Sequence, residues 1–397
     1  MPKLSLKGID LPESPIRNLM PYAIKAKKKG IKILHLNIGQ PDINSPLESL
    51  DLIKKNKLKL VPYGSSEGSI NYRKSLCEYY SENGIHISPN DILITTGASE
   101  ALTFTLNCIC DAGDEIIIPE PFYANYNGFA SSANVKVIPI VSLFENNFTL
   151  PSKKLIVSKI TKKTKAILIC NPNNPTGHLY SKKELEILGE IAIKNDIFII
   201  VDEVYREFLH EDKYTHHSIL KFNFLSQNSI MIDSASKRYS LCGARIGCLI
   251  SKNKKLISTA LKFAQLRLSA PTYGMIASEA ALLNSKKYII EVKKEYTKRR
   301  NILINEILKI QGVEISIPMG AFYCIARLPV DDSEKFSKWL LTDFSYNNET
   351  VMFAPASGFY STPGYGKKEI RIGFVLNIKK IIRAVKILEK ALIAYNN

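Results

Sequence analysis

Long apolar runs are missing from this sequence of 397 residues. No segment stays apolar for the roughly 18 residues that a membrane-spanning helix needs, and residues 1–7 include no apolar run of signal-peptide length. Cysteine is sparse too, because only seven are scattered through the chain, mostly within apolar stretches. An odd number in that setting indicates reduced, packed thiols. These absences predict a cytoplasmic protein that does not bind membranes.

Metal-ligand spacing is also absent from the sequence. Cys108 and Cys110 lie two residues apart, but no second ligand group accompanies them. Residues at positions i and i+2 of a helix face different directions, so the two thiols would not converge on one ion. We therefore predict no metal site.

Acidic residues are outnumbered, with 37 Asp and Glu against 54 Lys and Arg, which gives a formal net charge of +17. Such an excess can indicate a nucleic-acid partner. Here the lysines are spread along the chain, and the densest runs, residues 25–29 and 54–59, are interrupted by uncharged residues. Interrupted runs are typical of solvated helix faces, so we predict no nucleic-acid binding.

Short apolar runs alternate with longer amphipathic stretches through the middle of the chain, and this pattern predicts an α/β fold. The amphipathic stretches at residues 98–109 and 182–194 have helical spacing, and Ser181 with Glu184 forms a capping box before the second. The runs rich in Ile and Val predict buried strands at residues 92–96, 115–118, 136–140, 166–170, 197–202, 229–233 and 246–250. We expect them to form one seven-stranded, mainly parallel sheet.

A chain of this length exceeds what one core usually holds, so a second domain is expected. A charged helical region at residues 271–309 precedes three short apolar runs and a closing helix, which indicates a smaller α+β domain. Its predicted elements are strands at residues 313–317, 322–327 and 369–374 and a helix at 378–394. We assign residues 46–290 to the large domain, and residues 1–45 and 291–397 to the small one.

Lys237 closes the segment Ser234-Ala235-Ser236-Lys237, just beyond a predicted buried strand and before a turn rich in Ser and Gly. A lysine there is well placed to hold a Schiff base near a phosphate. An exposed turn lysine would look the same, since most lysines lie at the surface.

Two other motifs follow predicted strands. Asn171-Pro172-Asn173-Asn174-Pro175-Thr176-Gly177 begins where one strand ends, at the edge where open α/β sheets bind ligands, although it could simply make a tight turn. Asp202 ends another apolar run, where a carboxylate needs a partner. It is either a helix N-cap or an anion that keeps a heteroaromatic nitrogen protonated.

Together the motifs SASK with GxRxG, NPNNPTG and DEVY resemble those of the class I and II aminotransferases of fold type I. They occur in the family's order, with Arg245 eight residues after Lys237 and Tyr205 three after Asp202. The resemblance covers residues 36–374. It implies an enzyme that uses pyridoxal 5'-phosphate to move an amino group between an L-amino acid and a 2-oxo acid.

The resemblance also implies roles for single residues. Lys237 would carry the cofactor and move the proton between the substrate Cα and the cofactor C4'. Asp202 would pair with the pyridinium nitrogen, and Tyr205 and Asn174 would hydrogen-bond the phenolic oxygen of the ring. Lys237, Asp202 and Tyr205 are thus the expected catalytic residues. Tyr123 takes the position of the aromatic that stacks on the ring.

The remaining family positions concern the phosphate, the substrate and the partner subunit. Arg371 matches the arginine that binds the α-carboxylate of the substrate, and Gly39 matches the glycine whose backbone approaches that carboxylate. Asn174 is the third residue expected to contact the substrate. Tyr63 resembles a tyrosine that reaches the phosphate of the other subunit, which implies a homodimer with active sites at the subunit interface. The implied phosphate ligands are Ser234, Ser236, Arg245 and the backbone amides of Ala98 and Ser99.

The segments Ser14-Pro15-Ile16-Arg17 and Gly39-Gln40-Pro41-Asp42 resemble the bacterial aspartate aminotransferase-like branch, so aspartate and 2-oxoglutarate are the expected substrates. In some members a lysine at the position of Ser99 reads the side-chain carboxylate. Serine here leaves open an aromatic, alanine or other amino-acid aminotransferase. A lyase of the same fold and a non-catalytic binding protein are further alternatives, because cofactor motifs do not fix the reaction outcome.

Overall fold

The computed structural model describes residues 2–9, 11–12, 17–55, 59–283 and 285–397. Three residues of the opening motif, Ser14, Pro15 and Ile16, lie outside the described residues, as do residues 56–58 of the second lysine run. Within the described ranges, no helix is both long and apolar enough to cross a membrane.

The strands are β1 (Lys32–His35), β2 (Ile92–Thr95), β3 (Glu115–Glu120), β4 (Lys136–Val141), β5 (Thr164–Cys170), β6 (Phe198–Asp202), β7 (Ser229–Ser234), β8 (Gly247–Ile250), β9 (Glu314–Ile315), β10 (Tyr323–Arg327), β11 (Glu349–Met352), β12 (Ala354–Pro355) and β13 (Glu369–Gly373). The α-helices are α1 (Leu6–Ile9), α2 (Met20–Lys28), α3 (Leu47–Lys55), α4 (Ile70–Glu82), α5 (Gly97–Ile109), α6 (Asn125–Ser132), α7 (Lys153–Ser158), α8 (Lys182–Asn195), α9 (Ala235–Arg238), α10 (Lys254–Leu266), α11 (Thr272–Leu283), α12 (Ser285–Ile307), α13 (Ser333–Thr342) and α14 (Ile378–Asn396).

The main sheet of the described chain has seven strands in the order β2-β8-β7-β6-β5-β3-β4. Strands β3 to β7 run parallel, and β8 is antiparallel to both of its neighbours. Successive side chains point to opposite faces, so Ile116 packs into one apolar core and Ile117 into the other. Burial on both faces explains the continuous Ile and Val runs, and the predicted seven-stranded, mainly parallel sheet is confirmed.

Two smaller sheets complete the fold. Strands β12, β13, β10 and β9 form an antiparallel sheet in that order, and β1 pairs in parallel with β11. β9, β10 and β13 fall within predicted strands, whereas β1, β11 and β12 were not predicted. The division of the chain into residues 46–290 and the remainder stays a prediction.

Local sequence signals explain where the elements begin. At α8, the Ser181 Oγ accepts the backbone N–H of Glu184 at 3.2 Å, and Glu184 Oε2 accepts the N–H of Ser181 at 2.7 Å. This reciprocal pair is the predicted capping box, and it satisfies donors that the first turn leaves unpaired.

The cysteines Cys108 and Cys110 are half-buried, and burial raises the pKa of each thiol to about 12.

Candidate active site

A cavity of about 820 Å³ opens at the carboxyl ends of β5, β6 and β7. Residues from all three sheets contribute to its wall, because Asn37 follows β1 and Arg371 lies on β13. The predicted site residues that line it are Gly39, Ala98, Ser99, Tyr123, Asn174, Asp202, Tyr205, Ser234, Ser236, Lys237, Arg245 and Arg371. Tyr63 does not line it, and 79% of its surface is exposed.

Lys237 lies on α9, a single helical turn that follows β7 directly. Its Nζ donates to the carbonyl oxygen of Gly39 at 2.8 Å and lies 3.9 Å from Cys242 Sγ. Burial is the main cause that lowers the pKa of Lys237, and the nearby guanidinium of Arg371 lowers it further. A lowered pKa increases the fraction of neutral amine, which is the form that acts as nucleophile and base.

Asp202 ends β6 and is 5% exposed. Its carboxylate accepts the Tyr126 hydroxyl at 2.9 Å and the backbone N–H of Val204 at 3.3 Å. Burial nevertheless dominates and raises the pKa of Asp202 to about 6. A buried carboxylate of this kind gains most from a ligand that brings positive charge into the cavity.

Arg371 is 1% exposed, and its guanidinium is held by neutral acceptors. Nη1 donates to Asn174 Oδ1 at 2.9 Å and Nη2 to the backbone oxygen of Asn37 at 2.6 Å. Among the described residues, its Nε has no hydrogen-bond partner. Burial lowers the pKa of Arg371, which indicates a charge that an incoming carboxylate would stabilise.

An anion pocket forms where α5 begins beside the loop that follows α9. Gly97 has φ +75°, and a Cβ there would lie 2.6 Å from Arg245 Nη2. A Cβ on Gly247 would lie 2.6 Å from the backbone nitrogen of Ala98. Gly97 therefore lets the Arg245 guanidinium approach the start of the helix, and Gly247 lets β8 pack against the backbone of that start.

Hydroxyl groups complete this anion pocket. Ser234 Oγ lies 2.9 Å from Ser236 Oγ, and both serines are buried at the wall of the cavity. Free amides at a helix start, two hydroxyls and a guanidinium form a donor set that suits a phosphate. The residues present therefore fit a phosphorylated cofactor with a ring cation facing Asp202.

Several wall residues were not predicted from the sequence. Tyr323 lies 3.1 Å from Tyr205 through their hydroxyl oxygens, and the Arg371 guanidinium carbon lies 4.5 Å from its ring centroid. Tyr126 orients Asp202, yet in the sequence it looks like one more core aromatic beside Tyr123. For Tyr323 the only local signal was a strand pattern, and its contacts come from distant segments.

This fold and this wall define a pyridoxal phosphate-dependent transferase of fold type I. The sequence profile of the family described as aminotransferase class I and II matches residues 31–388. An aspartate aminotransferase of Pyrococcus horikoshii is 31% identical over 385 residues, 96% of this chain and 94% of that one. A (5-formylfuran-3-yl)methyl phosphate transaminase of Methanocaldococcus jannaschii is 32% identical over 390 residues, which cover 96% of this chain and 98% of that one.

Solved structures agree with this match. An alanine aminotransferase from Pyrococcus furiosus has a TM-score of 0.91 and 30% identity over 99% of this chain and all of that one. An aspartate aminotransferase from Thermotoga maritima has a TM-score of 0.89 and 28% identity with the same coverage. The chain belongs to the class I and II aminotransferases, whose members use pyridoxal phosphate. This confirms the predicted fold class, enzyme class and cofactor.

Proposed function

We propose that L-aspartate and 2-oxoglutarate are the amino donor and acceptor of this aminotransferase. The observation that carries the proposal is a fourth cation in the cavity. Among the described residues of its wall, the cationic side chains are those of Arg17, Lys237, Arg245 and Arg371. The last three match the cofactor lysine, a phosphate ligand and the α-carboxylate ligand. Arg17 is left to bind a second carboxylate.

Arg17 also supplies what Ser99 does not. The family's alternative for reading an acidic side chain is a lysine at the position of Ser99, at the start of α5. Arg17 comes instead from the segment just before α2 and carries an exposed side chain. A guanidinium binds a carboxylate with two parallel hydrogen bonds, so it suits a dicarboxylic substrate. The relatives named aspartate aminotransferase support this assignment.

Each catalytic role follows from the position of its side chain. Pyridoxal phosphate, when bound, supplies an electron-accepting ring that stabilises negative charge at the substrate Cα. Arg371 binds the α-carboxylate and so fixes the orientation of the Cα–H bond. Lys237 is the base that removes the Cα proton and returns it, because burial lowers the pKa of its amine and so favours the neutral form. Asp202, held by Tyr126, would stabilise a protonated ring nitrogen of the cofactor.

The remaining site residues hold the cofactor in this proposal. Tyr205 and Asn174 would bind the phenolic oxygen of the cofactor, and Tyr123 would pack on its ring. Gly39 places its carbonyl within 2.8 Å of Lys237 Nζ and leaves room for the Tyr323 hydroxyl, which a Cβ on Gly39 would meet at 1.5 Å. Ser234, Ser236, Arg245 and the amides of Ala98 and Ser99 would hold the phosphate of the cofactor.

We infer that the enzyme works as a homodimer in which Tyr63 enters the site of the partner. Tyr63 follows exposed apolar residues, since Leu60 is 74% exposed and Val61 is exposed as well. Ser66 donates to the backbone oxygen of Leu268, which brings Leu266, 83% exposed, to the same region. Contiguous apolar exposure of this kind is typical of a subunit interface.

The test records the visible absorbance of the cofactor-loaded protein while aspartate, glutamate, alanine and an aromatic amino acid are added separately. Aspartate should convert the cofactor to its aminated form and release oxaloacetate. Conversion by alanine or an aromatic amino acid alone would replace the substrate assignment. Release of pyruvate or ammonia without an amino acceptor would indicate a lyase, and no spectral change with any amino acid would favour a binding protein.

Arg17→Met isolates the proposed side-chain contact. It should raise the KM for aspartate by about 10- to 100-fold, because a charge-assisted contact is lost, and leave the KM for alanine nearly unchanged. Lys25→Met is the matched control, since Lys25 is an exposed cation of α2 that does not line the cavity. Equal effects on aspartate and alanine would exclude Arg17 as the specificity residue.

A further inference from the structure

A group of charged side chains, all buried except the partly buried Glu207, lies behind the cavity, between the segment that carries Asp202 and the segment that carries Lys237. None of its members lines the cavity. We call this group the charged cluster, and its members are Glu203, Arg206, Glu207, Asp233 and Arg238 with the rings of Tyr79 and Tyr80.

Arg238 is at the centre of the charged cluster. It donates from Nη2 to Asp233 Oδ2 in a direct ion pair, and its Nε lies 3.5 Å from Glu207 Oε1. Its guanidinium carbon lies 4.5 Å from the ring centroid of Tyr79. Asp233 also accepts the Tyr80 hydroxyl at 2.5 Å. The guanidinium is therefore held from several sides.

The sequence positions of these partners connect them to the site. Asp233 and Arg238 flank the segment that ends in Lys237, and Glu207 lies two residues after Tyr205. α9 is a single turn, so few of its own hydrogen bonds resist rotation about its axis. Adjacent residues project about 100° apart around a helix axis, and a fixed Arg238 therefore fixes the direction of Lys237.

Stability alone is a poor explanation for the charged cluster. Burying charges is costly, and a buried ion pair is often no more stabilising than well-packed apolar residues. Hydrogen bonding is also incomplete, because Arg238 Nε, Arg206 Nη1 and Glu203 Oε2 have no hydrogen-bond partner within the described chain. What the ion pairs do provide is a defined geometry between two segments of the site.

We propose that Arg238 is a positioning residue: its ion pair with Asp233 and its contact with Glu207 hold α9 so that Lys237 Nζ points into the cavity. The same contacts tie α9 to the turn that carries Tyr205. This inference rests on the proposed role of Lys237 and goes beyond it, because Arg238 touches neither cofactor nor substrate. Arg238 can therefore affect the reaction only through the orientation of Lys237.

The experiment compares Arg238→Met with Arg238→Lys, which keeps the charge but not the planar fork. In Arg238→Met, kcat should fall by about 100-fold, the loss expected from a displacement of about 1 Å, while KM for aspartate changes less than about twofold. Arg238→Lys should recover about tenfold of that loss in kcat. KM is spared because Arg371 and Arg17 lie on other segments.

A second readout needs no amino acid. Cofactor-stripped protein is mixed with pyridoxal phosphate, and attachment to Lys237 is followed by visible absorbance. Arg238→Met should slow this attachment by about tenfold or more, since the amine no longer points into the cavity. If the wild-type protein attaches the cofactor but reacts with no amino acid, the proposed function fails while the positioning test still gives a result.

Two controls separate positioning from general damage. Arg300→Met removes another buried arginine, which pairs with Glu211 at 3.2 Å and does not line the cavity. Its kcat and attachment rate should match the wild type. The double variant Arg238→Met with Asp233→Asn removes the carboxylate that the first change leaves unpaired. If Arg238 positions Lys237, kcat should stay low in the double variant, because the arginine is still missing.

The proposal is overturned if Arg238→Met keeps the wild-type kcat and attachment rate. It is equally overturned if Arg300→Met shows the same losses, or if the double variant restores kcat, since the effect would then be one of stability or of charge. Should Arg238→Met fail to fold, Glu207→Gln takes its place, because it keeps the shape of the side chain and removes the negative charge that faces the Arg238 guanidinium. Slower attachment at unchanged KM would again support positioning.

Discussion

At the scale of single residues, Asp202 links stability to function. Its pKa is about 6 in the folded chain, above the ordinary value of 3.8. A raised acid pKa gives stability that is present below about pH 4 and lost as the pH rises through 6. In the cofactor-free protein at pH 8, the buried charge therefore costs up to about 3 kcal/mol.

Asp202→Asn should remove this cost. The cofactor-free variant is expected to unfold at a higher temperature than the wild type at pH 8 and at the same temperature at pH 4. Thermal unfolding at the two pH values measures this, with Asp212→Asn as the control because the side chain of Asp212 is fully exposed. A variant that is less stable than the wild type at pH 8 would contradict burial as the cause.

The same substitution should reduce activity. An amide cannot carry the negative charge that stabilises a protonated ring nitrogen, so we expect kcat of Asp202→Asn to fall by about 100-fold or more. Steady-state rates with aspartate and 2-oxoglutarate test this expectation. A variant that is more stable and less active would show that the fold tolerates a destabilising charge for the sake of the reaction.

At the scale of secondary structure, the start of α5 depends on a glycine. Gly97→Ala would place a Cβ 2.6 Å from Arg245 Nη2, at a residue with φ +75°. The guanidinium would be displaced from the anion pocket, so the affinity for pyridoxal phosphate should fall by about 10-fold or more. A titration of the cofactor-stripped variant, followed by absorbance, measures the dissociation constant.

Gly113→Ala is the matched control for this substitution. Gly113 has φ +88°, close to that of Gly97, but no atom lies within 4 Å of the position of its Cβ. It bears the same backbone strain without the steric clash. Equal loss of cofactor affinity in both variants would mean that strain, not contact with Arg245, is responsible.

The elements differ in how well the sequence predicted them. Strands β2, β3 and β5 to β8 are almost entirely buried, so each leaves an apolar run in the sequence, whereas β4 at the edge of the sheet is only partly buried. β1 and β11 each contain only two consecutive large apolar residues, and β12 has two residues in all, so none of them leaves such a run. Site residues at strand ends and in motifs were predictable, whereas Tyr323 and Asn37 gain their role from contacts between segments far apart in the chain.

At the scale of the whole molecule, the proposed role of Tyr63 makes two chains necessary for one site. Tyr63→Ala and Lys237→Ala homodimers should each have low activity. When the two variants are mixed and allowed to exchange subunits, one site of each mixed dimer is intact. About a quarter of the wild-type activity should return at equal concentrations.

Subunit exchange distinguishes a Tyr63 that serves the partner's site from a Tyr63 that serves the site of its own chain. If Tyr63 serves the site of its own chain, each mixed dimer has one site without Lys237 and one without Tyr63, and mixing restores nothing. Gel filtration of the mixture checks that dimers are present. Activity that stays at the level of the separate variants would therefore reject the shared site.

The contrast between a buried Arg371 and an exposed Arg17 has a consequence for ionic strength. Salt screens exposed charges over about 10 Å at 0.1 M and about 3 Å at 1 M, and it screens buried charges much less. The α-carboxylate should thus bind almost independently of KCl, whereas the side-chain carboxylate should bind less tightly as KCl increases. The ratio of kcat/KM for aspartate to that for alanine should fall between 0.1 M and 1 M KCl in the wild type and stay constant in Arg17→Met.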